Sequence, residues 1–155
     1  VDETGATLED NALLKARSAA AATGLPSIGD DTGLEVDALG GRPGVHTARF
    51  AGPNATYAQN RAKLLADLVG SRDRRARFRT AVAFVDPAGS EIVVSGSIEG
   101  RITEQERGSG GFGYDPVFEV DGATFAEMGE QHKNRISHRA RALAALAARL
   151  RADLP

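Results

Sequence analysis

From Ala76 to Val85 the chain alternates, with Phe78, Thr80, Val82 and Phe84 falling on one face. A period of two marks a β-strand whose two faces meet different surroundings. Asp86-Pro87-Ala88-Gly89 is a turn-forming run, and Glu91 to Ser97 reads as the returning strand. Another strand is expected near Glu99 to Thr103. This hairpin constrains the fold more than any other feature. Two strands joined by a tight turn are antiparallel, so no purely parallel sheet accommodates the chain.

Helical segments flank the hairpin. Thr7 to about Thr23 reads as a helix. Thr7 and Asp10 resemble a capping box, Leu8, Ala12, Ala16, Ala19 and Ala20 keep helical spacing, and Gly24 supplies the stop. Thr56 to Val69 is a second helix, with Thr56 and Gln59 as its capping box and Gly70 as its stop. Ser137 caps a third, running to about Arg151, with Ala140, Leu143, Ala144, Ala147 and Leu150 as the expected buried stripe. Leu25 to Asp31 reads as a short strand ending in two carboxylates, and Leu34 to Asp37 as a second strand. Gly40 to Gly44 and Gly108 to Gly113 are loops. This order predicts an α/β fold, a mixed sheet flanked by helices, in two lobes with a central cleft.

Bulk properties bound the function. With 155 residues, 41% of them hydrophobic, the chain suits one domain, or one domain with a small lobe. A formal net charge of −2 argues against a nucleic-acid-coating protein, which needs a basic face. There is no cysteine, which excludes disulfides, thiolate metal sites and a cysteine nucleophile. Three histidines make a multi-histidine zinc site a poor fit, and a hard cation on oxygen ligands a better one. No apolar run reaches the length of a membrane span, and no signal peptide is visible. The chain opens Val1-Asp2-Glu3 without a methionine, and a cytoplasmic location is the default expectation.

Three segments carry candidate chemistry. Asp30-Asp31-Thr32-Gly33 places two carboxylates at the expected strand end, where one can hold Mg²⁺ and the other can take a proton from water. The competing reading is an Asp-rich turn. Glu3 is a third acid, or a solvated terminal carboxylate. Lys15 is a snorkelling lysine or a cation aimed at phosphate. In Phe112-Gly113-Tyr114-Asp115 the glycine admits a flat ligand and an aromatic ring stacks on it; the alternative is a core Phe beside a bulge. His138 and Arg139 occupy the first turn after the Ser137 cap, where positive charge opposes the helix dipole. They make sense if a phosphate or an electron-rich base edge sits there, with Lys133 as a further member of the patch; otherwise they face water. Arg72, Arg74, Arg75, Arg77 and Arg79 form a basic run without an interleaved aromatic platform, which favours a solvated or dimer-facing surface over nucleic acid.

These residues, in this order, resemble the inosine/xanthosine triphosphate pyrophosphatases, the Ham1-like enzymes. The match runs through Glu3-Thr4-Gly5, Glu9-Asp10-Asn11-Ala12-Leu13-Leu14-Lys15-Ala16, Asp30 to Val36, Leu39-Gly40-Gly41 with Pro43-Gly44-Val45, Ala48-Arg49, Gly110 to Phe118, and Lys133-Asn134 with Ile136 to Arg139. The resemblance implies Mg²⁺-dependent hydrolysis of a purine nucleoside triphosphate, such as ITP, dITP or XTP, to the monophosphate and pyrophosphate. It implies Asp31 as proton acceptor and metal ligand, Glu3 as a metal ligand with Asp30 in support, and Lys15 near the phosphates. Thr32 stands where the family usually has Ser and contacts substrate. Phe112, Gly113, Tyr114, Asp115, Lys133, His138 and Arg139 fall on substrate-binding positions around the base. An elongated sheet, two lobes and a homodimer are implied as well. The family opens with a strand ending in a Ser/Thr-Gly-Asn-x-x-Lys loop that is missing from 1–155. The expectation is one pyrophosphatase domain whose first strand and phosphate loop are left out of this numbering. Were they truly deleted, an inactive nucleotide-binding module would be the alternative.

Overall fold

The hairpin is the spine of the molecule. In the computed structural model, which describes residues 1–153, β2 (Arg75–Val85) and β3 (Glu91–Ile102) pair antiparallel from Arg75↔Arg101 to Val85↔Glu91. The separate strand expected near Glu99 is a continuation of β3. Ser95, Gly96 and Ser97 are weak strand formers, but their backbones pair with Ala81, Thr80 and Arg79 and carry the ladder through.

β1 (Ser27–Val36) lies on the other side of β2, from Ser27↔Val85 to Val36↔Ala76. Here too two expected strands are one. Asp30 to Gly33 stay extended because each pairs across to the Val82–Arg79 stretch, so the two carboxylates sit mid-strand rather than at a strand end. β4 (Phe118–Val120) and β5 (Ala123–Thr124) complete the order β1-β2-β3-β4-β5. They are too short to show a period of two. The α/β class stands, and among the described residues every ladder is antiparallel.

Caps fix the helices. In α1 (Leu8–Thr23) the Thr7 side chain accepts from Asp10 N, and Gly24 closes the end in left-handed conformation at φ 68°. α2 (Tyr57–Asp67) has both halves of the Thr56–Gln59 capping box. α3 (Glu130–Ile136) has only seven residues and no apolar stripe to announce it. α4 (His138–Asp153) begins with Ser137 Oγ accepting from Ala140 N at 3.1 Å. Its buried face is Ala142 and Leu146; of the expected stripe Leu150 packs partly buried against them, while Ala140, Leu143 and Ala144 are exposed. Alanines and leucines recur around this helix, so two stripes have helical spacing, and docking onto the sheet selects one.

That docking is set by glycines. A Cβ on Gly96 would lie 2.3 Å from Ala142 N and 2.7 Å from the His138 carbonyl, so α4 rests directly on β3. A Cβ on Gly29 would lie 2.5 Å from the Ala12 carbonyl and 2.6 Å from Ala16 N, so α1 rests on β1. The helices clamp one half of the hairpin: α1 covers Ala81, Ala83 and Val85, and α4 covers Val82 and Ile92. The other half carries a second core of Phe78, Ile98, Ile102, Phe118 and Phe125, with Leu64 and Leu68. These are the two lobes, and the long strands run through both.

The arginine run divides: Arg72 and Arg75 are exposed, and Arg74, Arg77 and Arg79 are drawn into internal pairs. Arg74 is buried and donates to the carbonyls of Leu68, Ile102 and Thr103. Arg77 pairs with Glu99 and Asp37, and Arg79 with Glu9 and Glu35. Arg77 and Arg79, expected on a solvated or dimer-facing surface, form an ion-pair ladder with the acids beside them. Among the described residues no helix is long and apolar enough to cross a membrane.

Candidate functional site

One strand serves two clusters. Because β1 stays extended through Asp30, Asp31 and Thr32, their side chains alternate between faces. Asp31 meets α1, while Asp30 and Thr32 meet α4 and its neighbours.

On the α1 face, Asn11 and Lys15 stand one helical turn apart and reach the same point of β1. Asn11 Nδ2 donates to Asp31 Oδ2 at 3.0 Å, and its Oδ1 accepts from Gly5 N at 2.7 Å. Lys15 Nζ donates to Asp31 Oδ1 at 3.3 Å and to the Asp30 carbonyl at 2.8 Å, and pairs with Glu3 Oε1 at 2.5 Å. Burial works to lower the pKa of Lys15, but Glu3 and Asp31 outweigh it and hold the ammonium above its ordinary value. Lys15 is therefore a cation throughout the neutral range. Two carboxylates converge on one cation position, and their oxygens are the hard donors that Mg²⁺ takes, one or two at a time, alongside substrate oxygens. Among the described residues no set of three or more acids, histidines or cysteines gathers for a metal. Asp30 gives this cluster only its carbonyl; its carboxylate pairs with Arg139 Nη2 at 3.0 Å on the opposite face.

On the α4 face lies a cavity of about 350 Å³. Thr32, Phe112, Gly113, Tyr114, Asp115, Lys133, His138 and Arg139 all line it. Asp115 organises the glycine-rich loop: its Oδ2 accepts from Phe112 N at 2.9 Å and from Lys133 Nζ at 2.6 Å. Arg61 of α2 donates to the Gly113 carbonyl at 2.8 Å and holds the loop from outside. Phe112 is 65% exposed and tilted 45° against Tyr57, with Lys133 Nζ 4.8 Å from its ring centroid. Tyr114 is not such a platform. It is 4% exposed, its hydroxyl donates to the Thr47 carbonyl at 2.7 Å, and burial raises its pKa. It builds the wall.

His138 is held on three sides. Its Nδ1 lies 2.5 Å from Thr80 Oγ1, which lies 2.8 Å from Thr32 Oγ1, and its ring stacks on Phe78 with centroids 5.2 Å apart. Burial first, then the charges of Arg139 and Lys133, push its pKa down to about 4 against the opposing pull of Asp30. At neutral pH the ring is uncharged. The cavity thus pairs an apolar slot with cationic donors, and its one carboxylate, Asp115, is already engaged.

A family model described as the Ham1 family matches residues 1–149. The chain belongs to the Ham1 family. It is 54% identical to the dITP/XTP pyrophosphatase of Methylococcus capsulatus, covering 97% of this chain and 78% of that one. With the protein of the same name from Geobacter sulfurreducens it shares 51% identity, over 94% and 75% of the two chains. The structure of the Staphylococcus aureus Ham1 protein superposes with a TM-score of 0.94 at 42% identity, covering 99% of this chain and 81% of that one. The nucleoside-triphosphatase / dITP/XTP pyrophosphatase of Mycobacterium abscessus gives 0.83 at 49% identity, over 94% and 76%.

In this Ham1-family chain, two residues that the sequence reading passed over prove central to the geometry. Asn11 is 1% exposed in the face that α1 buries, and an amide among Leu8, Ala12 and Ala16 was the available signal. Thr80 is 0% exposed between Phe78 and Val82, a hydroxyl on an otherwise apolar strand face. A buried polar group demands a partner, and both partners are site residues.

Proposed function

We propose that this protein hydrolyses ITP, dITP and XTP to the monophosphate and pyrophosphate with Mg²⁺, removing non-standard purines from the nucleotide pool. As a Ham1-family member near the dITP/XTP pyrophosphatases, it is a hydrolase of nucleotide anhydride bonds. The observation that carries the finer reading is the pairing of two clusters across one strand. A donor-rich slot suited to a purine lies on one face of β1, and a lysine–carboxylate cluster suited to a triphosphate lies on the other.

The base enters beside Phe112, and His138 and Arg139 meet its C6 carbonyl. A water is oriented by Asp31, whose carboxylate is held by Asn11 and Lys15 and keeps lone pairs free to accept a proton. As the water oxygen bonds the α-phosphorus, its proton passes to Asp31 and the bond to the β-bridging oxygen breaks. Lys15 neutralises charge on the departing pyrophosphate. Glu3 and Asp31 would hold Mg²⁺, which when bound polarises the phosphoryl oxygens. Asp30 acts through Arg139. We extend the reading to a cytoplasmic homodimer, which light scattering of the purified chain checks.

The test is pyrophosphate release from ITP, dITP, XTP, GTP and ATP, with Mg²⁺ and with excess EDTA. Turnover of ITP and XTP well above ATP, lost in EDTA, is expected. Full activity in EDTA sinks the metal assignment. Nucleotide binding without turnover in Mg²⁺ favours an inactive binding module.

A further inference from the structure

His138 is presented to the cavity by two hydroxyls, and the direction of their protons decides what it can read. Thr80 is fully buried, 2.5 Å from His138 Nδ1 and 2.8 Å from Thr32 Oγ1. Its single proton goes to one of the two. Thr32 lines the same cavity as Lys133, which pairs with Asp115, and Arg139, which pairs with Asp30. On the substrate reading above, the ring nitrogen that faces the cavity meets the C6 carbonyl and must donate to it. Thr80 therefore donates to Nδ1, and Thr32 donates to Thr80. A neutral imidazole that accepts at Nδ1 carries its proton on Nε2. Among the described residues no buried side-chain nitrogen or oxygen lacks a partner, and the hydrogen bond of this ring is at Nδ1. Nε2 is thus open, in a residue that lines the cavity.

We propose that the Thr32–Thr80 hydroxyl pair locks His138 in the Nε2–H tautomer, which makes Thr80 a specificity-determining positioning residue. The inference rests on the substrate reading above and deepens it. An Nε2–H donates to the C6 carbonyl of hypoxanthine or xanthine and meets only another donor in the amino group of adenine. With the proton chain reversed, Nε2 would be an acceptor and the preference would turn toward adenine. Thr80 contacts no substrate and acts wholly through the ring.

The experiment combines ¹⁵N NMR of the histidine ring nitrogens at pH 7 with kcat/KM for ITP and ATP, on wild type, Thr80→Val and Thr80→Ser. Valine fits the same strand position and removes the hydroxyl; serine restores it. Wild type and Thr80→Ser should show an unprotonated Nδ1 and a protonated Nε2 at His138. Thr80→Val should lose that fixed pattern, and its ITP-to-ATP ratio should fall roughly tenfold to a hundredfold, the range expected when a buried polar partner is removed. A purely structural role for Thr80 would lower both substrates together and leave the ratio alone. A proton on Nδ1 in the wild type overturns the proposal, even if Thr80→Val fails to fold. So does an unchanged ratio in folded Thr80→Val. A wild type inactive on ITP overturns the substrate reading instead, and the ring-nitrogen measurement then decides the tautomer by itself.

Discussion

Asp31 and His138 are placed so that single atoms decide the outcome. Asp31→Asn keeps the shape but cannot accept a proton, and its amide nitrogen meets one of the two donors on Asp31, so kcat should fall by about 10²–10⁴ with the fold retained. A mutant keeping a tenth of the wild-type rate would move the base elsewhere. Asn11 ties Gly5 to Asp31, so Asn11→Ala strands a backbone N–H and unanchors the carboxylate. It should cost about 1–3 kcal/mol in urea unfolding and lower kcat as well. A variant destabilised but fully active would make Asn11 a structural residue only. His138 also gives a pH signature. Its folded pKa, about 4, lies below the ordinary 6.5, so between those values the unfolded chain binds more protons. Its stability contribution is present above about pH 6.5 and is lost as pH falls toward 4. Chemical denaturation across that window should show the slope, and His138→Gln should flatten it.

At the scale of elements, two glycines separate the clusters. Gly29→Ala pushes α1 off β1, and Lys15 sits on α1 beside that contact. Gly96→Ala pushes α4 off β3 at the turn that carries His138. Overpacking of this kind costs about 1–3 kcal/mol. Beyond that shared loss, steady-state kinetics should show Gly29→Ala mainly in kcat and Gly96→Ala mainly in the ITP-to-ATP ratio. Identical kinetic defects would mean that the faces of β1 do not work separately. The capped ends of α1 and α2 were legible because Thr7, Gly24 and the Thr56–Gln59 box act within a few residues of themselves. The buried stripe of α4 was not, since its alanine-rich composition offers more than one helical stripe and the sheet makes the choice.

The whole molecule is two lobes on shared strands, and a nucleotide should bridge them. A non-hydrolysable ITP analogue with Mg²⁺ at a hundred times its Kd should add about 2.7 kcal/mol, a rise of roughly 5–10 °C in Tm for a chain of this size. Arg139→Ala should shrink the shift at the same ligand concentration, and an equal shift with the ATP analogue would count against base reading. What the sequence by itself determined is local or repetitive: the hairpin from its alternation, the helix ends from their caps, and the site residues from motifs whose order resembles one family. What the tertiary structure decided depends on partners distant in the chain. Asp30 and Asp31 looked like a strand end because two adjacent carboxylates and then Thr32-Gly33 interrupt the apolar pattern. Pairing with Val82 and Ala81 kept them extended, and extension sent adjacent carboxylates to opposite faces, one to Lys15 and one to Arg139. Thr80 and Asn11 acquired their roles in the same way, because a buried polar group takes its meaning from the partner that folding brings to it.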